Sequence, residues 1–398
     1  MGVKLLKKPY KKIIAVLLIV FTLTAPKMLA DDLGQDICYQ WLKGSKPVWT
    51  GIVHIWNVST WQVGKGNAAS WLEKKSRSFE KRNSGIYISV ENITAEEYKK
   101  RTENGEKPDI LSFGTGFINN PQDIFETISL PNKIKSGVND SALYLNKAYS
   151  MPYMMGAYGI YINEELLQSA GIDYLDVSAG GIALKDLNEV LGILKTESKQ
   201  GIYPLVYNIN NINLTPLSLV YLYTGDGVDE TGDLFKNLDS VASANENAYK
   251  TFTGGKAVML LASQKTANDL NNESSISFSF VTTGISAYSD MVQYLGIIKT
   301  DDPNKKEMLN QYLNYIVRDD VQDTLNEIGV FSVIRDLAVM DEDPNLSSYE
   351  QAILHDAIVP NTFTWSKEKN NLAESVNLFL KGDTSKINSI KSILGSLQ

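Results

Sequence analysis

Two indoles stand five residues apart in the segment IVHIWNVSTWQVG, residues 52–64. Ile52, Val53, Ile55 and Trp56 open it like a buried strand. Asn57, Ser59, Thr60 and Gln62 then place hydrogen-bonding groups around Trp61. Flat rings beside polar side chains can hold a molecule by contact and hydrogen bonding without reacting with it. Groups that make or break bonds are scarce by comparison. The only histidines are His54, inside a strand pattern, and His355, inside a helix pattern, and both read more readily as structural or surface residues. A Ser-His-Asp or Cys-His arrangement has little material to draw on, and the Cys/His cluster of a zinc site is missing.

Nucleotide fingerprints are absent too. SFGTGF and TGDGVDETG come nearest to a Gly-rich phosphate loop, and each lacks the required third element. The acidic run DGVDETGD (226–233) lacks EF-hand spacing and the terminal Glu, so it reads as a solvated loop. Some pair among the 46 acidic residues falls close in space in any fold, so a secreted glycoside hydrolase remains a rival that rests on no motif. These observations lead us to expect a non-enzyme with no cofactor and no metal.

At 398 residues the chain has room for two domains. Lys4, Lys7, Lys8, Lys11 and Lys12 precede the apolar run IIAVLLIVFTLTA (13–25), the pattern of a secretory signal, here 1–30 with cleavage near Ala30. Thirteen helical residues rise only about 20 Å against the ~30 Å of a bilayer core, so retention as an N-terminal anchor is the weaker reading. Removing residues 1–30 takes away six lysines and no acids, moving the formal charge from −8 to −8 − 6 = −14. So acidic a body argues against nucleic acid or an anionic membrane surface as partner. The single cysteine, Cys38, precludes an internal disulfide and lacks the small residues that precede a lipid-bearing cysteine, so the cores must supply stability.

Short apolar runs alternate with helical patterns, which predicts α/β architecture. IVHIW, IYISV, PDILSFG, IYPLVY, AVMLL and ISFSFV read as strands. MPYMMGAYGIYIN (151–163) carries two glycines and then reads as a strand. Asn67, Thr94 (in T-x-x-E) and Asn163 are expected helix caps. Leu184, Leu187, Leu191 and Leu194 mark a helical stripe, and SANENAYKTFTGG reads as a helix closed by a Gly-Gly turn. Two amphipathic helices are expected at KKEMLNQYLNYIVR and VQDTLNEIG, and further ones near YEQAILHDA, NNLAESVNLFL and KINSIKSIL, with NTFTW as a loop. The chain contains no Pro/Ser linker, which suggests lobes joined by short segments crossed more than once.

Six ordered pieces resemble the extracellular solute-binding proteins of ABC importers, in their sugar-binding branch (family 1). They are the strand ending in Trp56, SFEKRNSGIYISV, PDILSFG, MPYMMGAYGIYINEELLQSAGI, YKTFTGGKAVMLL and GIIKTDDPNKKEMLNQYLNYIVRDDVQDTLNEIGVFSVI. The resemblance covers roughly residues 50–395. It implies a two-lobed, hinged, periplasmic-binding-protein-like α/β fold, each lobe a sheet flanked by helices. The expected organisation is a lead-in at 31–49, then 50–157 with about 283–335 in one lobe and 158–282 with about 336–398 in the other. A carbohydrate would be trapped in the interlobe cleft by closure and handed to ABC permease transmembrane subunits, the protein being a monomer, secreted or held at the extracellular face of the membrane.

Ligands of open α/β sheets sit beyond the carboxyl ends of strands, and sugars offer C–H faces for rings together with hydroxyls. On that rule the ligand-binding residues are expected to be Trp56, Asn57, Thr60, Trp61, Ser112, Thr115, Tyr158, Tyr288, Asp290 and Trp365. The same fold with a cationic or other non-sugar solute, or serving a sensor kinase, is the alternative.

Overall fold

The computed structural model describes residues 48–172, 184–197, 201–208, 242–244, 247–273, 276–281, 289–380 and 383–395. The expected signal, Cys38, the acidic run 226–233 and Tyr288 lie outside them.

Two five-stranded sheets carry the fold, and a two-stranded ladder pairs β4 (Leu143–Tyr144) with β5 (Lys147–Ala148). The first has the order β2 (Ile86–Ile93), β1 (Gly51–Val58), β3 (Ile110–Gly114), β12 (Val292–Ile297), β6 (Met151–Met155). β1 runs parallel to both neighbours, whereas β12 is antiparallel to β3 and β6. The second has the order β11 (Phe278–Val281), β7 (Tyr158–Asn163), β10 (Ala257–Ser263), β8 (Tyr203–Tyr207), β9 (Ala242–Ala244). Every residue of β3, β6, β7 and β12 is buried, so those strands show no alternation and their polar members, Ser112, Asn163 and Gln293, lie inside.

Local chemistry fixes the helices that cover the sheets. Asn67 accepts from the Ser70 N–H at 2.7 Å and starts the helix Ala68–Arg82, which buries Trp71, Leu72 and Phe79. Thr94 accepts from the Glu97 N–H at 3.1 Å and Asn163 from that of Leu166 at 3.0 Å, so all three expected caps form. Leu187, Val190, Leu191 and Leu194 bury the stripe of the helix Leu184–Glu197 in the second lobe's core. Among the described residues no helix is long and apolar enough to cross a membrane.

Four local expectations change. MPYMMGAYGIYIN is two strands in different sheets, β6 and β7, divided at Gly156–Ala157. The Gly156 N–H donates back to Met291 of the first lobe at 2.7 Å, while Tyr158 pairs with Ser263 of the second. VQDTLNEIG is not one amphipathic helix but a short turn, Asp319–Gln322, tightening into a 3-10 helix, Asp323–Ile328. There Gly329 (φ 63°) ends the element and the Ile328 carbonyl accepts from the Lys65 N–H at 2.9 Å. Ser243 and Ala244, the start of the stretch read as a helix, belong instead to β9, which pairs with β8. Trp365 is not in a loop: it opens the helix Trp365–Leu380.

The chain passes between the sheets at Gly156–Ala157, again between β11 and β12, and a third time after Phe331. That last residue exchanges hydrogen bonds with Met155 at 2.8 and 3.1 Å. A stack of four rings crosses with it: Tyr161 on Phe280 (4.3 Å), Phe280 on Tyr349 (4.6 Å), Tyr349 on Phe331 (5.6 Å), all within 19° of parallel.

Candidate functional site

The loop after β1 folds back over the first crossing. Gly156 is the reason it can: a Cβ there would lie 3.1 Å from Trp61 Cζ3 and 2.9 Å from Gln264 Nε2. Trp61 belongs to the first lobe by sequence. It nevertheless packs also against the second lobe's core, whose members include Tyr158, Ile160 and Trp365. Thr60, exposed, rests on Gly114, where a Cβ would sit 1.9 Å from its Oγ1. Both side chains therefore gather over the carboxyl ends of β1 and β3.

Below them, Asn57 and Ser112 face each other across the β1–β3 register. Asn57 Nδ2 donates to Ser59 (2.9 Å) and Asn92 (2.8 Å). Its Oδ1 accepts from Ser112 Oγ (2.7 Å) and Gln293 Nε2 (3.5 Å). Gln293 Nε2 also reaches Val58 O and Ser112 Oγ, and the Tyr153 hydroxyl lies 2.9 Å from that same Oγ. The Asn57 carboxamide thus has both donors and both lone pairs engaged inside the protein. Trp56, 4 % exposed, lies edge-on to Tyr98 with the Arg101 guanidinium 5.1 Å from its ring centre, between the sheet and the helix Ala95–Glu103. The Thr115 N–H and hydroxyl both donate to Val292 O, at 3.1 and 3.3 Å.

The remaining candidates converge on one carboxylate at the second crossing. Asp290 accepts from the Tyr158 hydroxyl (2.6 Å), Trp365 Nε1 (3.0 Å) and Lys369 Nζ (2.8 Å). Burial by itself pushes its carboxyl up. The Lys369 charge and the three donors outweigh burial and hold it below the ordinary carboxylate range. Next door, Ser289 Oγ donates to Gly156 O at 2.7 Å, tying the second crossing to the first. Gly116 (φ 78°) brings the end of β3 against the start of the Trp365 helix: its N–H donates to Thr362 O at 2.9 Å.

The structure therefore brings Thr60, Trp61, Tyr158, Asp290 and Trp365 to the crossings and sets Trp56, Asn57, Ser112 and Thr115 into the framework of the first lobe. Sequence reading missed Gln264, Gln293 and Lys369. Gln264 directly follows β10, so the rule that sends ligands to strand ends applies to it as it does to β1 and β3. Gln293 and Lys369 gave no local signal, because their partners are distant in sequence. Asp109 bonds across to β1, accepting from the His54 N–H at 2.9 Å, and pairs with Lys305 at 2.6 Å. His355 is exposed and bonded to Asp336.

Solved structures share this fold at low sequence identity. The cyclic alpha-maltosyl-1,6-maltose binding protein of Arthrobacter globiformis superposes with a TM-score of 0.68 at 15 % identity, over 88 % of this chain and 99 % of that one. The sugar-binding protein MalE of Xanthomonas citri gives 0.67 at 15 % identity, over 87 % and 98 %. The galacto-N-biose-/lacto-N-biose I-binding protein of a Bifidobacterium longum ABC transporter gives 0.62 at 14 % identity, over 88 % and 95 %. No curated protein matches by sequence. The model of the bacterial extracellular solute-binding proteins matches residues 64–323, more than half of the chain, and the chain belongs to that family.

Proposed function

We propose that the protein captures an uncharged carbohydrate between its lobes by hinge closure and delivers it to an ABC permease, without transforming it. The observation that carries this reading is Trp61: a first-lobe indole, half-buried, packed against the second lobe's core beside the first crossing. A ring in that place gains contact from both sides when the lobes close on a ligand. The shift toward the closed form is bounded by the ligand's preference for it, and about 5.5 kcal/mol takes a population from 1:99 to 99:1. A few ring contacts at roughly 0.5–1.5 kcal/mol each, with several hydrogen bonds, reach that figure. The three solved relatives named above carry saccharide or sugar binding in their descriptions.

A cationic solute is disfavoured by Asp290. It is the only acid among the candidates, and Lys369 at 2.8 Å already neutralises it. The lobes on this reading are 50–157 with about 283–335, and 158–282 with about 336–398, after a signal removed near Ala30. Ligand contact falls to Thr60 and Trp61, with Tyr158, Asp290, Trp365 and Tyr288 flanking. Trp56, Asn57, Ser112 and Thr115 hold the wall behind them. Tryptophan fluorescence and thermal shift against maltotriose, raffinose, lacto-N-biose and spermidine test the assignment. A saturable change with a saccharide and none with spermidine is expected. The reverse pattern, or release of reducing ends from a glycan, overturns it.

A further inference from the structure

Two buried donors at the first crossing have nothing to donate to. Among the described residues, Trp61 Nε1 and Gln264 Nε2 are the buried side-chain N–H groups without a hydrogen-bond partner, and both side chains reach Gly156. Gln264 is fully buried, and its orientation is fixed. Its Oε1 accepts from the Ala157 N–H at 2.9 Å, and its own backbone N–H donates to Ala157 O at 3.0 Å. Exchanging the carboxamide's oxygen and nitrogen would set an NH2 against an N–H, so the free end is the donor end. Both side chains touch the same Gly156 backbone, within about 3 Å of where a Cβ would stand.

An unpartnered buried N–H is about as costly as a lost hydrogen bond. Two on side chains that meet at one glycine, between two lobes that close on a solute, are explained if the solute completes them. Neither group can accept, so the solute must bring lone pairs. Hydroxyl, ring and glycosidic oxygens have them; an ammonium or guanidinium does not.

We propose that Trp61 Nε1 and Gln264 Nε2 are the polarity-selecting pair of the site, each donating to an acceptor oxygen of the bound saccharide and together rejecting amines. This rests on the carbohydrate reading and names what enforces it. It is tested on the whole protein with maltotriose, raffinose and lacto-N-biose as probes. Trp61→Phe keeps a ring and removes the N–H; Gln264→Met keeps the length and removes the NH2. Each variant should bind the saccharide that the wild type binds at least fivefold more weakly. The ligand-free Trp61→Phe protein should melt no lower than wild type, since it loses an unsatisfied donor. In 15N-labelled wild type, the indole resonance missing from Trp61→Phe should move downfield and exchange more slowly on adding that saccharide. A wild type that binds a saccharide while this resonance stays still, or variants weakened less than fivefold, overturns the pair alone. A wild type that binds none of the three takes down the carbohydrate reading and the pair with it.

Discussion

At the scale of single residues, Asp290 shows how a group that looks like a ligand contact can also be structural. Its carboxylate is satisfied by Tyr158, Trp365 and Lys369, and its side chain is 4 % exposed. Asp290→Asn removes the buried charge that pairs with the Lys369 ammonium at 2.8 Å. Breaking a buried pair in this way costs about 3–5 kcal/mol, which urea unfolding of the ligand-free protein measures. The pH dependence follows from the direction of the shift. A carboxyl held below its unfolded value contributes stability that is complete above that value, about 3.8, and is lost as pH falls through the folded one. Wild type should therefore show no Asp290-linked change between pH 5 and 8 and a decline in acid. The Asn variant should lack that part of the acid decline.

At the scale of elements, the crossings depend on small residues under large rings. Gly159 in β7 lies under Phe280, the second ring of the interlobe stack; a Cβ there would be 2.3 Å from Phe280 Cε2 and 2.8 Å from Val281 O. The backbone oxygen cannot move aside as a side-chain tip could. Gly159→Ala should cost about 1–3 kcal/mol by overpacking, with its largest effect on β7 and β11, as local hydrogen exchange would show. Much of this level was readable beforehand. Caps at Asn67, Thr94 and Asn163 are contacts within three residues, and the Leu187–Leu194 stripe is a periodicity. That MPYMM forms a strand of its own was not readable, because β6 and β7 are equally apolar and what separates them is pairing with Val292 and Met259, 137 and 97 residues away. Trp365 was misplaced for a similar reason: its indole is fixed by Asp290, 75 positions distant, while NTFTW by itself carries turn residues.

For the whole molecule, two measurements follow. Closure on a bound saccharide should reduce the radius of gyration seen by X-ray scattering, with no change on adding spermidine. Profiles identical with and without every saccharide that binds would contradict a hinge mechanism. The second concerns the ring-filled interior. Burial pushes the hydroxyls of Tyr153, Tyr161, Tyr312 and Tyr349 well up, and that of Tyr294 to about 12. The folded chain keeps these protons where the unfolded chain gives them up, above roughly pH 10, so stability must fall as pH rises through that value. Equilibrium unfolding between pH 8 and 11 should show a steep loss at the alkaline end, together with a step in tyrosinate absorbance at the unfolding transition.

The sequence by itself determined the α/β alternation, the helix caps and the solute-binding resemblance. Each of these is carried by neighbouring residues or by composition. Only the tertiary structure decided which polar residues are already engaged. Asn57, Ser112 and Gln293 saturate one another across three strands, and Asp290 is saturated by a helix 75 to 79 positions away. Trp61 and Gln264, in contrast, arrive at Gly156 from opposite lobes with donors unused. Hydrogen-bond saturation is a property of positions in space, and side chains more than two hundred residues apart in the chain reveal it only when the two sheets are in place.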